Sequence, residues 1–68
     1  MIDQKRLEKA VLQVIGDSGE PLDCYEILAE VREKEGFWRT FLPDVRLALS
    51  ELVRAGTLEV RSLYYPGE

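Results

Sequence analysis

Six consecutive positions, Gly16-Asp17-Ser18-Gly19-Glu20-Pro21, hold two glycines, a proline and three polar residues. No regular helix is expected to run through such a stretch, so it divides the chain into a piece before a turn and a piece after it. With 68 residues in all, the chain buries only about 60% of its unfolded surface. It can therefore build one small core, which implies a single domain over residues 1–68.

Apolar residues before the break recur at helical spacing. Leu7, Val11 and Val14 stand at i, i+4 and i+7, flanked by Ala10 and Ile15, which predicts an amphipathic helix over Asp3 to Ile15 with Asp3 as its N-cap. After the break, Asp23 precedes Glu26 by three residues, a capping box, and Leu22 and Ile27 occupy the staple positions around it. The second helix then turns Cys24, Ile27, Leu28 and Val31 inward and leaves Glu26, Glu30, Arg32, Glu33 and Lys34 to solvent, and Gly36 fits the left-handed position that closes it. An aromatic connector follows, Phe37-Trp38-Arg39-Thr40-Phe41-Leu42, with Pro43 at the first position of a third helix. That helix buries Val45, Ala48, Leu49, Leu52 and Val53 and ends at Gly56. Thr57-Leu58-Glu59-Val60-Arg61 alternates polar with apolar as a half-buried strand does. Leu63-Tyr64-Tyr65 reads as its continuation and Pro66-Gly67-Glu68 as a terminal turn or tail. Three short amphipathic helices enclose one core by crossing one another, and the strand needs an edge, for which Leu22 and its neighbours are nearest. The expected class is mainly α, of α+β type.

Hydrophobic residues at 46% and charged residues at 32% are the balance of an ordinary soluble globular domain. Lys5, Arg6, Glu8 and Lys9 interrupt the apolar residues near the N-terminus, so neither a signal peptide nor a membrane span is expected there. Cys24 is the single cysteine and the chain has no histidine. An internal disulfide, a zinc site and a Cys-His pair are thereby excluded, and Cys24 reads as a small core residue. No export signal and no disulfide framework point to the cytoplasm. The sequence has no histidine for general-base work, no Gly-rich phosphate loop, no metal-ligand spacing and no carboxylate pair placed in an expected pocket, so a non-catalytic protein without a cofactor is expected. A net charge of −4 argues against a broad polyanion binder.

The stretch Glu20-Pro21-Leu22-Asp23-Cys24-Tyr25-Glu26-Ile27-Leu28, then Gly36-Phe37-Trp38, then Leu49-Ser50-Glu51-Leu52-Val53-Arg54-Ala55-Gly56-Thr57-Leu58-Glu59 resembles the winged-helix DNA-binding domain of the PadR-like transcriptional regulators. Those proteins carry a similar P-L-x-x-Y-E-I at the start of helix two and an A-L-x-x-L-x-x-x-G-L-I ending of helix three. The resemblance spans Leu7 to Arg61 and departs from the family at Cys24, where a Gly precedes the Tyr, and near Asp44, where the family has small polar residues. It implies a winged helix-turn-helix, three helices followed by a short strand or truncated wing, that binds duplex DNA and regulates transcription.

In such a fold the second helix of the pair enters the major groove. Here that nominates Arg39, Thr40, Asp44, Arg46, Leu47, Ser50 and Arg54, with Arg61 at the wing. Arg46 and Ser50 share a face that the core residues do not occupy. Arg46 suits guanine, Arg39 and Arg54 suit phosphate, and Asp44 and Glu51 work against both. The expected DNA-contacting set is Arg39, Thr40, Arg46, Ser50, Arg54 and Arg61. Lys5, Arg6 and Lys9 form a further cationic group that could meet backbone phosphate or simply be solvated. Phe37, Trp38, Phe41, Tyr64 and Tyr65 exceed what so small a core needs. Trp38 and Phe41 are expected to plug the space between helices two and three, and any of the five left exposed would offer a surface to a protein partner. Tyr25 is expected to be partly buried. Two functions therefore stand open, DNA binding and a winged-helix adaptor that contacts protein alone. For the first, a homodimer through helix one or the aromatic residues is expected.

Overall fold

Asp3 takes an extended conformation and its carboxylate accepts the Lys5 N–H at 3.0 Å, which starts α1 at Gln4–Ser18. The computed structural model describes residues 3–60 and 64–66. The expected end of α1 at Ile15 is overrun by three residues. Gly16 stays helical because one exposed glycine costs a helix only about 1 kcal/mol. Gly19, at φ 69°, supplies the left-handed turn that ends it.

The capping box of α2, Cys24–Arg32, is present in both halves: the Glu26 N–H donates to Asp23 Oδ1 at 2.8 Å and the Asp23 N–H donates to Glu26 Oε1 at 3.1 Å. Its end differs from expectation. The helix closes at Glu33, where the N–H groups of Glu33 and Lys34 turn to the carbonyls of Glu30 and Val31. Hydrogen bonds three residues back then carry the chain onward, from Phe37 to Lys34 and from Thr40 to Phe37, so Gly36, at φ 87°, turns the connector rather than capping the helix.

Helix α3, Leu42–Arg54, begins one residue earlier than expected, with Phe41 as N-cap and Pro43 at the second helical position. Phe41 has no side-chain acceptor to offer, and only the reciprocal half of a capping box forms: the Asp44 carboxylate accepts the Phe41 N–H at 3.0 Å. The far end is a Schellman motif, in which Gly56, at φ 79°, donates to the Val53 carbonyl and Thr57 to that of Leu52. This turn sends the chain into β1, Leu58–Val60.

The strand does not continue through Tyr65. Tyr64–Pro66 is a second strand, β2, antiparallel to β1 with Leu58 opposite Pro66, Glu59 opposite Tyr65 and Val60 opposite Tyr64. Backbone groups of so short a strand must be paired, and the segment that follows it supplies the edge. Leu22 makes only a single bridge position.

Leu7, Val11, Val14 and Ile15 of α1, Leu22, Ile27 and Val31, then Val45, Ala48, Leu49 and Leu52 of α3 and Leu58 of β1 form one buried cluster. All three helices touch one another, α3 touches β1 and α1 touches β2. Each fully buried Leu, Ile or Val contributes about 1.5–3 kcal/mol. Cys24 and Leu28 are half-buried and pack on the cluster edge. No helix of the described residues is long and apolar enough to cross a membrane.

Candidate nucleic-acid interface

Helix α3 turns Val45, Ala48, Leu49 and Leu52 into the core, which fixes what it shows outside. Arg46, Leu47, Ser50 and Arg54 are all exposed, Leu47 by 53%. All four were nominated from the sequence, and the helix brings them onto one outward surface. Two acids share the helix, but each has a local occupation. Asp44 holds the Phe41 N–H at the helix start, where a negative charge also suits the helix dipole. Glu51 lies 3.8 Å from Arg54 in a pair whose arginine is 80% exposed. So open a pair is worth little and leaves Arg54 free to move to another anion.

The connector departs most from expectation. Trp38 is 67% exposed and Phe41 59%, so neither plugs the space between α2 and α3. Phe37 is the connector aromatic that packs on the core. Tyr25, at 63%, is largely exposed rather than partly buried. Thr40 is fully buried, with no hydrogen-bond partner for Oγ1 among the described residues, and cannot reach a nucleic acid. It drops out of the contact set because the turn that exposes its neighbours points it inward. Arg61 and the side chains of Tyr64 and Tyr65 lie outside the described residues.

The exposed rings carry cations. The Arg39 guanidinium lies 4.7 Å from the Trp38 ring centroid. Arg32, read from the sequence as merely solvated, reaches from the end of α2 to the Phe41 ring at 5.6 Å, and its Nε donates to the Thr40 carbonyl at 2.9 Å. That bond fixes the guanidinium plane beside the first turn of α3. Its two Nη groups have no partner among the described residues, a fork suited to an anion with two acceptor oxygens. Helical spacing from Cys24 places Arg32 off the core but gives no sign of this tether, which depends on how the connector returns past α2.

Elsewhere the acids collect. A groove of about 450 Å³ between the end of α1 and α2 is lined by Val14, Asp17, Ser18, Leu22, Glu30, Glu33 and Lys34. The chain matches no family model, no curated protein and no solved structure.

Proposed function

We propose that this protein is a winged helix-turn-helix module that binds duplex DNA as a small transcriptional regulator, with α3 as the helix that enters the major groove and the β1–β2 hairpin as a short wing. The observation that carries this reading is the outward surface of α3, where Arg46, Leu47, Ser50 and Arg54 stand together while Arg32 and Arg39 are poised on rings beside its first turn. Arg46 suits a guanine edge, Leu47 a thymine methyl, and Arg32, Arg39 and Arg54 the phosphates that flank them. The PadR-like motifs support the same reading.

A second reading is favoured by one specific observation. Trp38, Phe41 and Leu47 are each more than half exposed in a chain of net charge −4, and such apolar side chains also suit a winged-helix adaptor that contacts protein alone. Titration with a mixed-sequence duplex library separates the two. On the DNA reading, binding falls steeply with salt. Arg32→Gln, Arg39→Glu and Arg54→Glu each weaken all sequences alike and lower the salt slope by about one unit or more, whereas Arg46→Glu costs about 1–3 kcal/mol and relaxes preference at one position. No binding at low salt, or full binding by the Arg39, Arg46 and Arg54 triple Glu variant, discards this reading in favour of protein contact.

A further inference from the structure

Nine basic residues stand against thirteen acidic ones in the whole chain, yet three of the nine meet in one place. Arg6, Lys9 and Lys34 line a groove of about 310 Å³ together with Ala10, Gln13 and Phe37, and no carboxylate lines it. Arg6 and Lys9 are three apart on α1 and share a side of the helix. Lys34 arrives from the turn after α2, its Nζ donating to Gln13 Oε1 at 3.1 Å. The Arg6 guanidinium rests 5.8 Å from the Phe37 centroid. None of the three cations has a carboxylate within ion-pair distance among the described residues.

Lys34 also borders the acidic groove, but Arg6 and Lys9 face it across a groove that no carboxylate lines; like charges so placed repel, and those on α1 lie in its N-terminal half, where the helix dipole disfavours them. No core contact requires the arrangement, because Arg6 and Lys9 are exposed and Lys34 is only half-buried. A bound anion would remove that repulsion. A single carboxylate offers two oxygens and one charge for three cations. A phosphate group offers more charge and more oxygens, matched by the Arg6 fork, two ammonium groups and the Gln13 amide NH₂. We infer that this groove is a binding site for phosphate oxygens, separate from the surface of α3. The phosphate comes either from a free phosphoanion or from the backbone of a duplex passing the molecule.

Pyrophosphate is the probe for the first source and a short duplex for the second, each followed through backbone amide NMR signals of the full chain at matched ionic strength. Saturable shifts of Arg6, Lys9, Gln13, Lys34 and Phe37 with pyrophosphate, weakened about tenfold or more in Arg6→Gln/Lys9→Gln, identify a free phosphoanion. Shifts with duplex alone, and a salt slope lowered by about two units in the same variant, identify the duplex backbone. Thermal unfolding of the variant is expected at an unchanged or higher temperature, and Lys34→Gln provides an independent change. Arg46→Glu leaves pyrophosphate binding intact, so failure of the α3 reading and failure of this one are distinguishable. Absence of shifts at these residues with both probes overturns the inference.

Discussion

Thr40 shows how one residue can hold a surface together through its backbone while its side chain does not belong to it. Its hydroxyl is buried and unpartnered among the described residues, while its carbonyl anchors Arg32. A buried polar atom with no partner costs about 1–3 kcal/mol, and an apolar group of the same shape avoids that cost. Thr40→Val is therefore expected to raise stability by about 1 kcal/mol in thermal or denaturant unfolding and to leave duplex affinity unchanged, since the anchoring atom belongs to the backbone. A loss of stability would mean that the hydroxyl has a partner. The sequence placed Thr40 beside Arg39 and made both contacts. Adjacent residues in a tight turn point in different directions, and no periodicity announces which one faces inward.

At the scale of elements, legibility followed the kind of signal. The starts of α1 and α2 were readable because Asp3 and Asp23 act on N–H groups two or three residues away, a local matter. The ends were less so, because Gly16, Gly19 and Gly36 look alike in a sequence and only their surroundings select which one turns the chain. The outward set on α3 was legible from its buried stripe, whereas the Arg32 tether and the exposure of Trp38 depend on a connector without a repeat. Gly16 gives α1 its own test. It lies exposed within the helix, and a Cβ added there meets nothing within 4 Å. Gly16→Ala should stabilise the protein by about 1 kcal/mol, the difference between the two residues in a helix interior. A calorimetric melt that fails to rise would show that α1 does not remain helical to Ser18 in solution.

Across the whole molecule, a radius of gyration of 10.6 Å agrees with about 11 Å for a packed chain of this length. One such unit presents a single α3, and few contacts limit affinity. A homodimer that engages two half-sites is expected for the DNA reading. On the DNA reading, a dimer joined through Trp38 and Phe41, which stand beside the first turn of α3, would cover the surface that meets DNA, and one joined through the Arg6 and Lys9 side of α1 would cover the cationic groove, so a seam that leaves both open is expected. Sedimentation is expected to show a dimer at concentrations where duplex binding saturates, and a monomer there would count against it.

The division of labour within α3 has a consequence for how such a chain can change over generations. Val45, Ala48, Leu49 and Leu52 answer to the core, whereas Arg46, Leu47 and Ser50 lie exposed on the other side. Exposed substitutions of this kind usually alter stability by no more than about 0.5 kcal/mol. Arg46, Leu47 and Ser50 can thus be rewritten, singly or together, while the scaffold folds as before. On the DNA reading, a lineage built on it is free to drift from one target sequence to another without passing through an unfolded ancestor.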